Sequence, residues 1–201
     1  PLTNKLPGIG VHDIAVYKNG SEWNNATIAI ATFTNIADPP RNYGWGIFFS
    51  TDGGATWQFD EEFYEAIGGG APKVSKAKFI ADTDGMIAIS GNKVLKKATF
   101  NDQWEIIPLP PGYEEIELTE LQMSPNDPDI FWVAGTGDDH GILYTTDGGV
   151  TFEDITADMG TMPEYNISLP STDDVFVYAF SNTPNPVDGF IFHYEYNSGN
   201  D

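Results

Sequence analysis

Asp138, Asp139 and His140 form the densest set of metal-ligand types in the chain, two hard carboxylates beside an imidazole. Three neighbours in sequence cannot all turn towards one ion without donors from elsewhere, so the run reads as a polar turn and no metal is expected. Asp82-Thr83-Asp84-Gly85 opens like a calcium loop but runs straight into the apolar stretch Met86 to Ser90 without later ligands, and reads as a hairpin turn. Acid–base chemistry on a glycosidic bond needs two carboxylates about 6.5–9.5 Å apart for inversion. With 30 acidic residues present, their abundance discriminates nothing. Zero cysteines exclude a thiol nucleophile, thiolate-bound metals and disulfides. There is no Gly-x-Ser-x-Gly elbow, and Gly68 to Gly70 lacks the helix and lysine of a phosphate cradle, so no cofactor is expected. His12 and His193 fall inside predicted strands, where a structural role fits best. Asn19, Asn25 and Asn166 open formal glycosylation sequons, which matter only in a eukaryotic setting.

Thirty acidic against nine basic residues give a formal charge of −21, which repels phosphate backbones and anionic surfaces. No nucleic-acid partner is expected. Apolar runs such as Thr27 to Phe33 are too short to span a bilayer, so no membrane insertion is expected and the chain reads as soluble. The sequence opens on Pro1 without initiator Met, basic stretch or apolar signal core, so a processed or trimmed chain is expected. Its 201 residues suffice to bury roughly 70% of the unfolded surface.

What positions the side chains is a repeat. Residues 46 to 57 read Gly-Ile-Phe-Phe-Ser-Thr-Asp-Gly-Gly-Ala-Thr-Trp, and residues 141 to 152 read Gly-Ile-Leu-Tyr-Thr-Thr-Asp-Gly-Gly-Val-Thr-Phe. Asp52 and Asp147 stand 95 residues apart, two periods of about 47. A degenerate copy lies between them: Val94 to Trp104 keeps the closing aromatic, 47 residues after Trp57, and loses the Asp-Gly-Gly turn. Upstream of each copy lie paired β-branched runs, Asp13 to Tyr17 with Thr27 to Phe33, Lys78 to Ala81 with Met86 to Ser90, and Leu118 to Ser124 with Ile130 to Ala134. A fourth set follows at Asn166 to Leu169, Val175 to Phe180 and Gly189 to Tyr196. The best helical candidate, Asp60 to Ile67, is short and acidic. Four short strands per 40 to 50 residues predict an all-β propeller of four-stranded antiparallel blades, at about 11–60, 76–108, 117–155 and 165–201. The last set stops at its third strand, so a piece of a larger propeller of 6 to 8 blades is expected.

The pattern Ser/Thr-x-Asp-x-Gly-x-Thr-Trp resembles the Asp-box or BNR repeat of sialidase-like, xyloglucanase-like, sortilin-like and photosystem-assembly-factor propellers. The resemblance implies that Asp52, Gly54, Thr56 and Trp57, Trp104 in the middle copy, and Asp147, Gly149, Thr151 and Phe152 are fold residues, with the aromatics wedged between blades. It also implies that ligands meet the opposite face, built by the loops 34–45, 135–141 and 181–189 and by the connections between blades. The candidates there are Arg41, Tyr43, Trp45, Tyr113, Asp138, Asp139 and His140. A sialidase-like clamp would need several arginines, and this chain has only Arg41. The function expected is a non-enzymatic scaffold or recognition module for a glycan or protein partner. Its setting is secreted or at the cell surface, of bacterial type. The alternatives are a fragment of a xyloglucanase-like glycoside hydrolase and a cargo or subunit of a surface assembly.

Overall fold

The computed structural model describes residues 10–18, 20, 22–33, 46–69, 74–124, 127–136, 141–156, 166–168, 176–180 and 191–195. The chain divides into two compact units, Pro1–Ile106 and Ile107–Asp201. In the first unit, short runs rich in β-branched and aromatic residues, such as Thr27–Phe33, Gly46–Ser50 and Met86–Ser90, form antiparallel strands. The first sheet has the order β1 (Gly10–Tyr17), β2 (Thr27–Phe33), β3 (Gly46–Ser50), β4 (Gln58–Phe59). The second runs β5 (Val74–Phe79), β6 (Met86–Ser90), β7 (Lys93–Lys97), β8 (Glu105–Ile107). Between them lies the short helix α1 (Glu61–Ala66), on the segment read as the best helical candidate.

One face of the first sheet carries Ala15, Ala29, Ala31 and Ile47, and these pack on Val74, Ala77, Met86, Ala88 and Leu95 of the second. Small residues on facing strands let the two sheets approach closely, and α1 closes the outer end with Phe63 and Ile67. Each large side chain buried there contributes about 1.5–3 kcal/mol. Asp13 ties the sheets by charge: it lies 3.0 Å from Lys78 Nζ and accepts the Ala77 N–H at 3.3 Å.

The second unit holds a sheet of order β9 (Glu117–Met123), β10 (Phe131–Thr136), β11 (Gly141–Thr145), β12 (Glu153–Asp154). A three-stranded sheet follows, β13 (Asn166–Ser168), β14 (Phe176–Phe180), β15 (Ile191–Glu195). Every residue of β11 and all but the last of β10 are buried, so both faces of the third sheet are covered. The strand pairs match the sequence reading to within a few residues.

The repeat also shows in its irregularities. β1 shifts register between Val11 and Asp13, β5 between Val74 and Lys76, and β9 opposite Ala134 and Gly135. Each extra residue, His12, Ser75 or Thr119, bends the first strand of its sheet at an equivalent place. Asp82 to Gly85 is the expected turn between β5 and β6: Asp82 has φ 58°, and the Ile80 N–H donates to the Gly85 carbonyl at 2.9 Å. Among the described residues no helix is long and apolar enough to cross a membrane.

Candidate functional site

The two intact Asp-Gly-Gly hairpins are closed systems. Asp52 receives the Thr56 N–H at 2.8 Å, the Thr56 hydroxyl at 2.6 Å and the Ser50 hydroxyl at 2.7 Å, while Ser50 Oγ accepts the Gly54 N–H at 2.8 Å. Asp147 repeats this with Thr151 at 2.9 and 2.6 Å and with Thr145 at 2.7 Å. Gly53 has φ 67°, and a Cβ there would meet the Trp23 carbonyl oxygen at 2.6 Å, so the turn requires glycine. The Thr hydroxyl and N–H bonds, followed by the Ser or Thr hydroxyl, lower both carboxyls from 3.8 to about 2. Such carboxylates hold a fold and cannot serve as general acids near neutrality.

A folded-state value below the unfolded one means stability present above about pH 3.8 and lost as pH falls through 2. The urea midpoint advantage of the native chain over Asp52→Asn/Asp147→Asn is therefore expected to shrink between pH 4 and pH 2. An advantage that stays constant over that range would exclude the charged form as its source.

The degenerate copy is built differently. At the register set by Trp57 and Trp104, Lys97 occupies the place of Ser50 and Thr145, where the intact copies carry the turn-closing hydroxyl. Its side chain is 4% exposed and its ammonium donates to the Phe100 carbonyl at 3.2 Å. It lies over the rings of Phe100 at 4.5 Å and Trp104 at 4.9 Å. Asp60, 6% exposed, faces it at 3.6 Å. Asp60 also caps α1 by accepting the Phe63 N–H at 2.9 Å, and accepts Trp104 Nε1–H at 2.9 Å. Burial pushes the Lys97 ammonium below its ordinary 10.5, with Asp60, Glu62 and Asp84 pulling the other way. The turn itself is held by Asp102, which accepts the Thr99 N–H at 2.9 Å.

Above this pair opens a cavity of about 460 Å³ within the first unit, walled by Phe49, Phe59 and Phe100 and rimmed by Gln58, Glu61, Glu62 and Asn101. Phe49 meets Phe100 edge to face at 4.8 Å. Its aromatic walls, buried ion pair and exposed carboxylates fit binding of a mixed apolar and polar group.

Solved structures of similar fold place it in a known architecture. YCF48 bound to D1 peptide matches over 89% of this chain and 53% of that one, with a TM-score of 0.57 at 14% identity. YCF48 from Cyanidioschyzon merolae matches over 95% and 57%, with a TM-score of 0.52 at 13% identity. An ancestral GH74 enzyme matches over 90% and 23%, with a TM-score of 0.60 at 14% identity. The fold is that of a β-propeller. The chain spans little more than half of the YCF48 chains and under a quarter of the GH74 enzyme. No protein-family model and no curated protein matches it.

Of the propeller loops expected to meet a ligand, those holding Arg41, Tyr43, Trp45, Asp138, Asp139 and His140 lie outside the described residues. Tyr113 is half-buried: it bonds the Asp154 side chain, whose carboxyl is raised by burial but lowered on balance by hydrogen bonds from Thr156 and then Tyr113, and a Cβ on Gly141 would come to 3.0 Å from the Tyr113 ring. The aromatics expected to wedge between blades divide. Trp104 is buried, meeting Phe63 edge to face at 5.1 Å. Trp57 instead turns back on its own hairpin, donating Nε1–H to the Gly54 carbonyl at 3.2 Å and remaining partly exposed, and Phe152 is partly exposed against Phe131. Asp60, Lys97 and the cavity escaped the sequence reading. The signal that reveals them is the lysine at a position where the sister copies carry a hydroxyl.

Proposed function

We propose that the chain is a non-enzymatic recognition module whose partner is a segment of a protein. The observation that carries this reading is the aromatic and carboxylate-lined cavity over the Asp60–Lys97 pair. Two further points support it. The carboxylates with the most altered acidity, Asp52 and Asp147, are shifted away from general-acid chemistry and locked in their hairpins. One structure of like fold, YCF48, holds a peptide. The charge of −21 and the sequence resemblance favour an extracellular or cell-surface setting of bacterial type.

The test sets a displayed library of random dodecapeptides against a panel of plant and microbial polysaccharides. Retention of peptides with no release of reducing ends is expected. Reducing-end release that disappears when one carboxylate is neutralised would replace this reading with a glycosidase, and retention of oligosaccharides alone would replace the peptide with a glycan.

A further inference from the structure

The cavity has two tiers of like chemistry. At its floor the chain's own cation, Lys97, sits over Phe100 and Trp104 and faces Asp60, aromatic faces and a carboxylate enclosing one positive charge. At its rim the same ingredients recur, with Phe49 and Phe59 on the walls and Glu61 and Glu62 exposed at the mouth. Among the described residues no cation forms a close ion pair with either glutamate; Lys97, the one cationic side chain in the lining, feels Glu62 only at longer range and makes its close pair with Asp60. The floor pair is neutral as a unit and almost fully enclosed. An approaching group therefore meets two carboxylates and aromatic faces.

We infer that this rim receives a lysine or arginine side chain of the partner. The inference rests on the recognition reading and names the chemistry of its site. An acidic group would meet like charge, and a purely apolar one would strip water from Glu61 and Glu62 without compensation. A guanidinium or ammonium with its alkyl stem satisfies both: the head pairs with the carboxylates and the stem lies on the rings. The volume of about 460 Å³ accommodates one such side chain with part of its backbone.

Because a chain of −21 attracts any cation, the test separates site from field. Blocked hexapeptides Gly-Gly-Xaa-Phe-Gly-Gly, with Xaa arginine, lysine, methionine or glutamate, are titrated by calorimetry at 0.15 M salt, where the Debye length is about 8 Å. The arginine and lysine peptides are expected to bind about tenfold more tightly than the methionine peptide, with the glutamate peptide weakest. Glu61→Gln/Glu62→Gln is expected to abolish that tenfold preference, whereas Glu22→Gln/Glu65→Gln, which removes two exposed charges of the same unit outside the lining, leaves it intact. Thermal melts confirm that both variants fold. Equal losses from the two variants would reduce the preference to bulk charge and overturn the inference. So would equal affinity for arginine and methionine peptides, or no binding by the arginine peptide. Retention of library peptides alongside any of these outcomes would leave the recognition reading standing, while a library that retains nothing would remove that reading itself.

Discussion

Asp60→Ala is expected to destabilise the first unit by about 3–5 kcal/mol, a large share of the roughly 5–15 kcal/mol that holds a domain together. Three losses coincide. The Phe63 N–H loses its cap, Trp104 Nε1–H loses its acceptor, and the Lys97 ammonium stays buried without a counter-charge. The third dominates, because an unpaired buried charge costs more than a missing neutral hydrogen bond. Lys97→Met leaves the buried Asp60 carboxylate with the Phe63 N–H and Trp104 Nε1–H donors and should be milder, and Asp60→Ala/Lys97→Met should be more stable than Asp60→Ala alone, a coupling read directly from a double-mutant cycle in urea. The pH dependence has a definite sign. Lys97 has a folded value below 10.5, lowered further once Asp60 is gone, so between that value and 10.5 the unfolded chain binds more protons and stability rises with pH. The deficit of Asp60→Ala should narrow as pH is raised towards 10. Strictly additive single-variant effects would show that the ion pair carries no energy of its own.

The contrast between Asp52 and Asp60 shows what a sequence can disclose. The partners of Asp52 are Ser50 and Thr56, and Ser50 in turn accepts the Gly54 N–H, all within four residues in the chain, while a near-identical hairpin stands 95 residues on. Local spacing and repetition therefore express its chemistry in full. Asp60 looks locally like a helix cap and nothing more, because its other partner in hydrogen bonding, Trp104, lies 44 residues away. Trp57 errs in the opposite direction: a repeat position implies the same packing as Trp104, but its indole finds an acceptor in its own turn and stays half out. Strands were legible because short apolar runs and the turn residues that bound them are local signals, as β6 and β7 show on either side of Gly91-Asn92. The cavity was not, because it is assembled from the ends of β3, β4 and β7 and depends on a single lysine replacing a hydroxyl.

In the second unit the largest effect is expected at Trp132, whose indole is fully buried in β10 and stacks on Tyr144 with centroids 6.4 Å apart. Trp132→Ala should cost about 3–5 kcal/mol, as the loss of so large a buried ring leaves a cavity that close-packed strands cannot collapse. Trp132→Phe is the informative change. Among the described residues Nε1 of Trp132 is buried with no hydrogen-bond partner, so the native ring carries the cost of a desolvated donor, about 1–3 kcal/mol. Phenylalanine removes that donor while giving up part of the ring volume. The two effects oppose each other, and a net change within about 1 kcal/mol is expected by denaturant unfolding. A loss as large as that of alanine would mean that the indole N–H is satisfied in solution by a bound water. A buried donor left open in the middle of a sheet thus makes a conservative substitution, and not a drastic one, the sharper probe of how the blade is packed.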